Sequence, residues 1–221
     1  MRRTPLLLPA LLLGLASSAP AQEVGVERGG VTFRPSATAP IRRITSSGLD
    51  SEPALSPDGR RVAWVRATPR DSVEGPAGRV PAGELWIART DGSGARRLAR
   101  GRASREPREL LAALSAPRFS PDGREVYFLS RAWATSGALH AADAATGRRR
   151  FVAPSNGYEV VSRGRWRGHL VVWQHRYFLA GGSYDWAWLL TPAGAEVGPV
   201  GETEGAVAEF RATYAEEAPG A

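Results

Sequence analysis

One sixteen-residue pattern occurs twice in this chain. Ser51-Glu-Pro-Ala-Leu-Ser-Pro-Asp-Gly-Arg-Arg-Val-Ala-Trp-Val-Arg66 is matched by Ser115-Ala-Pro-Arg-Phe-Ser-Pro-Asp-Gly-Arg-Glu-Val-Tyr-Phe-Leu-Ser130, with an offset of 64 residues throughout. Each copy predicts a short strand, a tight turn and a second strand. Pro57 and Pro121 preset φ for the first corner of the turn. Asp58 and Asp122 can bond their own backbone, and Gly59 and Gly123 accept positive φ. In the second strand Val62 and Trp64 point one way and Ala63 and Val65 the other; Val126 and Phe128 likewise oppose Tyr127 and Leu129. Both faces are apolar, as in a sheet packed on both sides.

A second hairpin follows each copy, at Gly83–Leu98 and Gly137–Val152. The unit is therefore four antiparallel strands, a to d. Worn copies continue it. Gly168–His175 reads as a third strand b and Asp185–Val197 as a third c–d hairpin, with strand a near Tyr158–Arg163. Upstream, Gly30–Thr45 echoes a c–d hairpin, and downstream Ala206–Tyr214 reads as one more strand a. A spacing of about fifty residues per four strands is near that of propeller blades.

The Ser-Pro-Asp-Gly copies, each preceded by Pro and followed by an alternating apolar strand, resemble the TolB-type, WD-like β-propeller repeat. The same repeat occurs in the propeller domains of the prolyl oligopeptidase family. With the c–d hairpins, the resemblance covers Ser51–Val152, about half of the chain. It implies an all-β fold, a β-propeller of four-stranded antiparallel blades; the strands counted along this chain make three full blades plus a partial fourth. The fourth would mix N-terminal strands c and d with the C-terminal strand a in a small irregular ring. The alternatives are an open arc, which a homodimer would complete, and a truncated gene product. Unpaired edges of an open arc invite a partner.

The N-terminus predicts an address. Arg2 and Arg3 precede the short apolar core Leu6–Ala16, and Ala19-Pro20-Ala21 supplies an A-x-A cleavage site. Residues 1–21 read as a signal peptide and 22–221 as the propeller domain, periplasmic or secreted. Elsewhere no apolar run approaches the ~20 residues of a membrane span. The chain has no cysteine, which excludes disulfides, thiolate nucleophiles and Cys-ligated metals. All 29 of its cationic Lys or Arg residues are Arg, against 22 acids, for a net charge of +7. They are spread along the chain among the acids, whereas a nucleic-acid binder clusters them. Codon bias accounts for this composition without nucleic acid as a partner. A basic surface still suits an anionic polymer.

In a four-stranded meander the a–b and c–d turns share one face, and the b–c and d–a loops share the other. The first set is short. The second carries the insertions Ala67–Ala82 and Arg100–Leu114, with a short helix expected over Pro107–Leu114. Rigid scaffolds carry binding on elaborated loops. The candidate partner-binding residues are thus Arg66, Arg70, Arg79, Arg105, Arg131, Arg176, Trp133, Tyr158, Tyr177 and Tyr184. Arg beside exposed aromatics is the composition of a recognition surface; solvated loops in an Arg-rich chain would look the same.

No catalytic constellation emerges. Gly181-Gly-Ser-Tyr-Asp185 lacks the closing Gly of a nucleophile elbow and sits in a predicted b–c turn. His140, His169 and His175 each read as sheet residues, not as bases or ligands. Strand a should line the axis, and Glu52, Ala54, Arg118 and Glu159 form no evident site there. The expectation is a non-enzymatic binding module without cofactor or metal, docking an envelope protein, a peptide or an anionic polymer. The alternative is an accessory or truncated propeller of a prolyl oligopeptidase-type peptidase without its catalytic domain.

Overall fold

The computed structural model describes residues 22–76 and 78–215. The leader read at 1–21 lies outside the described residues. Seventeen strands and one helix follow. Strands β1 (Glu23–Glu27), β2 (Gly30–Arg34) and β3 (Arg42–Arg43) form a three-stranded sheet. After them come β4 (Asp50–Leu55) and β5 (Arg61–Arg66), the small separate hairpin β6 (Ser72–Gly75) and β7 (Gly78–Pro81), then β8 (Glu84–Arg89) and β9 (Arg96–Arg100). The second sheet has the order β4-β5-β8-β9. The third is β10 (Ser115–Phe119), β11 (Glu125–Arg131), β12 (Gly137–Asp143) and β13 (Arg149–Ser155), and the fourth is β14 (Gly157–Val160), β15 (Leu170–Tyr177), β16 (Ser183–Leu190) and β17 (Glu196–Gly201). Helix α1 (Glu204–Ala215) ends the described chain. Three full blades and a partial one make a partial β-propeller. No hydrogen bond or ion pair joins the first sheet to the fourth among the described residues.

The repeated turn is closed by its serine as much as by its aspartate. Ser56 Oγ donates to Asp58 Oδ1 at 2.5 Å and accepts from Arg61 N at 2.9 Å. Asp58 Oδ1 also accepts from Arg60 N, at 3.1 Å. The second copy repeats this with Ser120, Asp122 and Glu125 at 2.6 and 2.9 Å. Gly59 and Gly123 have φ of 68° and 71°, where a side chain would be strained. These bonds to the ionised form, the serine's first, hold both aspartates below the usual carboxylate range.

Alternation along the second strand of each blade assigns its two faces to two cores. Val62 and Trp64 pack with Val31 of the first sheet. Ala63 joins Leu85, Ile87, Phe119, Val126 and Phe128 between the second and third sheets. Tyr127 meets Leu170, Val172 and Leu190 between the third and fourth. Such side chains contribute roughly 1.5–3 kcal/mol each on burial. A blade with two greasy faces is stable only between neighbours, so the cores stack the sheets in chain order.

Four local expectations are corrected. Residues 206–214 form no strand. They lie in α1, because Val207, Phe210 and Tyr214 recur at helical spacing and Thr203 Oγ1 caps Ala206 N at 3.1 Å. Ring closure by a C-terminal strand therefore falls away. Gly30–Thr45 does form a hairpin, β2 with β3, but as strands b and c: β1 precedes it in the sheet and lies beside β4 as the innermost strand. The Ala67–Ala82 insertion is not a plain loop but carries the β6–β7 hairpin. Pro107–Leu114 makes a single turn, with Leu110 N bonded to Glu106 O at 3.2 Å, and then bridges back through Leu111 to Arg102. Pro107 and the return of the chain to pair at Leu111 leave room for no longer helix.

A candidate binding face

The innermost strands lie side by side, with β1 beside β4 and β4 beside β10. A two-residue relation fixes this row. Glu52 and Ala116 occupy equivalent repeat positions, and both have positive φ, 51° and 50°. Each sits in a register shift of its strand, the local bend that an extra residue produces. Glu52 Oε2 accepts from Ala116 N at 2.5 Å, and Tyr158 Oη donates to Ala116 O at 2.6 Å. One bulged peptide thus ties three successive sheets. The axial cavity nearby, about 820 Å³, is lined by Ala54, Arg118, Tyr158 and Glu159. Among the described residues no group of three or more His, Asp or Glu gathers there or elsewhere to hold a metal.

The turns occupy the opposite side from the insertions. Arginines clamp those turns to neighbouring blades: Arg61 donates to Gly123 O at 2.9 Å and Arg167 to Pro121 O at 3.0 Å. The face bearing the insertions holds a groove of about 720 Å³ between the β6–β7 hairpin, the 103–110 connection and the loop after β11. Arg105 and Trp133 meet there, with Glu74, Pro107 and Leu110. Trp133 is held edge-on to Phe151, their ring centres 6.1 Å apart.

The other candidate residues separate into two groups. Arg66, Tyr158 and Arg176 are committed to the scaffold. Arg66 binds the Asp50 carboxylate at 2.6 and 3.0 Å and lies over Trp86 at 4.7 Å. Tyr158 is the inter-sheet tie already described. Arg176 lies 3.7 Å over Trp188 and pairs with Glu196. Arg70, Arg79 and Arg131 stay on the surface; Arg79 only spans its hairpin to Ser72 Oγ, at 2.7 Å. Tyr177 is exposed beside Phe178 and Leu179, and Tyr184 stacks on Phe178 at 4.6 Å. Sequence reasoning passed over Asp50 and Arg108, and placed Glu52 on the axis without its tie to Ala116, because such long-range partners have no local signature.

The remaining polar candidates sit in strands and turns. Ser183 opens β16 directly after a turn closed by Gly181 N to Phe178 O at 3.1 Å. His175 faces Asp185 across the strands at 3.0 Å. His169 precedes β15 and packs edge-on to Trp166. His140 is buried in β12, stacked on Phe128 at 5.3 Å, with Nε2 2.9 Å from Ser130 Oγ.

Known structures share this architecture. The chain is similar to TolB from Acinetobacter baumannii, at 16% identity and a TM-score of 0.52, covering 81% of this chain and 40% of that one. It is similar to the tricorn protease, at 15% identity and a TM-score of 0.53, with coverages of 82% and 17%. An oligogalacturonate lyase in complex with manganese aligns at 15% identity and a TM-score of 0.53, covering 79% of this chain and 42% of the enzyme. The chain thus spans less than half the length of each. No protein-family model and no curated protein matches the sequence. At these identities the likeness is one of fold, a TolB-like propeller.

Proposed function

We propose that this chain is a non-enzymatic binding module of the cell envelope, exported by its N-terminal leader, that engages a protein or an anionic polymer through the face carrying the insertions. One observation carries the reading. The scaffold confines its elaboration to one side, and there it places an arginine and a half-buried tryptophan in a groove large enough for a chain segment. On the opposite side the repeated turns are short and locked by Ser–Asp bonds. The likeness to TolB supports the reading at the level of fold.

The test is capture from envelope extract on immobilised wild-type chain, with Arg105→Glu and Trp133→Ala run beside it. A partner retained by the wild type and lost from both variants supports the module. Equal retention by all three, or no partner, sinks it. The second reading, an accessory propeller of a serine peptidase, draws on the likeness to the tricorn protease. It requires a separate chain with a catalytic domain to be the retained partner.

A further inference from the structure

A different groove, across the 102–111 connection from the first, has the chemistry of a small-ligand site. It measures about 400 Å³ and lies against β12 and β13. His140 forms part of its floor and is only 3% exposed. The ring's protonation follows from its neighbours. Ser130 Oγ donates its one proton to Leu110 O at 3.0 Å. The contact from His140 Nε2 to that oxygen must then be an N–H donation. Burial, reinforced by the charge of Arg149, pushes the imidazole pKa down to about 4, so the ring is neutral at pH 7. Nδ1 therefore carries a lone pair. Among the described residues it receives no hydrogen bond, and it is not one of the sealed unpartnered atoms of the interior.

Above this acceptor the wall is cationic. Arg149 shares the sheet face of His140, because it pairs with Ala142 while Phe151 pairs with His140. Among the described residues Arg149 makes no ion pair or side-chain hydrogen bond. Partial desolvation against the groove wall and the nearby Arg102 both disfavour its charged form, although the side chain reaches solvent. Arg108 lies over Phe151 at 5.4 Å. The local acids leave Arg149 unpaired. Glu109 reaches Arg102 at 3.4 Å with both side chains exposed, and Glu106 turns back on Arg108 N, also at 3.4 Å. Arg150 is occupied by Glu125 at 2.7 Å.

We propose that this groove binds a small hydroxylated carboxylate of sugar-acid size, whose charge meets Arg149 and whose hydroxyl donates to His140 Nδ1. The Arg149 guanidinium, which has no counter-charge among the described residues, calls for an anion. An unpartnered lone pair at the floor of a groove offers an acceptor to a ligand hydroxyl.

Calorimetry on the full chain with D-glucuronate, D-glucose, acetate and inorganic phosphate separates the requirements. Glucuronate should bind at least about tenfold more tightly than glucose or acetate, since each lacks one contact class. Arg149→Gln, a change at an exposed side chain, should weaken glucuronate about tenfold and leave the fold intact by circular dichroism. The ¹⁵N resonance of His140 Nδ1 should move on glucuronate addition and stay still with acetate. Equal affinity for acetate and glucuronate overturns the proposal. Unchanged binding by Arg149→Gln does so as well. Tighter binding of phosphate with an unmoved Nδ1 would mean an adventitious ion only, and overturns it too. None of these outcomes depends on Arg105 or Trp133, so this site and the binding face stand or fall separately.

Discussion

Asp50 carries a carboxylate with no exposed side-chain surface, directly across the ladder from Arg66. Burial alone would raise its pKa. Hydrogen bonds from Arg66, Thr45 and Ser47 and the guanidinium charge overcome that and leave it below the ordinary value. A folded-state pKa below the unfolded one means stability that is complete above the ordinary carboxylate pKa of about 3.9 and lost as pH falls through the lower folded value. Removing one partner of a buried pair strands the other. Arg66→Ala should therefore cost about 3 kcal/mol in urea unfolding at pH 7. Asp50→Asn should flatten the acid limb of the stability curve below pH of about 4. An Arg66→Ala chain as stable as wild type would show that the pair contributes no net stability.

Helix α1 owes its place to the last blade. Val171, Ala187 and Leu189 on the outer face of the fourth sheet pack with Val207, and Phe210, Trp166 and Trp173 close round them. Val207 has no exposed surface. Val207→Asp would bury a carboxylate without a partner, so the helix should peel away from the sheet. Hydrogen exchange reads this locally: amides of 204–215 should lose protection while those of β11 keep theirs. Loss of protection throughout would mean that the helix is part of the folding unit itself.

The elements that were legible in the sequence are those with local chemistry. Ser, Pro, Asp and Gly close their turn within six residues of chain, so both full repeat copies could be read directly. Val207 and Phe210 among alanines suit a period of two nearly as well as one of 3.6, and only the blade beneath decides between them. Strand β1, Glu23-Val-Gly-Val-Glu27, alternates plainly but has no turn motif to flag it. At the candidate face the sequence gives residue types and not partners. Arg66, Tyr158 and Arg176 resemble Arg105 and Trp133 in type, yet their partners lie 16, 42 and 20 residues away. Asp50, the Ala116 carbonyl and Glu196 remove them from the surface available to a ligand.

At the scale of the molecule, the two end sheets decide whether the arc must associate. An inner blade offers apolar side chains on both faces. The first sheet does not. Val24, Val26, Val31 and Phe33 turn toward the second sheet, while Glu23, Glu27, Thr32, Arg34 and Arg43 alternate onto the outer face, with Glu23 and Arg34 paired at 3.7 Å. The last sheet has an apolar outer face, but α1 covers it and shows Glu209 and Arg211 to solvent. Joining two arcs end to end would desolvate these charges, and the exposed Phe178 and Leu179 lie on the loop after β15 and not on an end face. Light scattering should accordingly give the mass of one chain across the accessible concentration range. Stripping the cover tests the cause. Val207→Asp should expose Val171 and Leu189 and make the chain self-associate as concentration rises. A wild-type dimer broken by Arg34→Glu would instead place an interface on the polar face, and the arc would then be half of a two-chain ring.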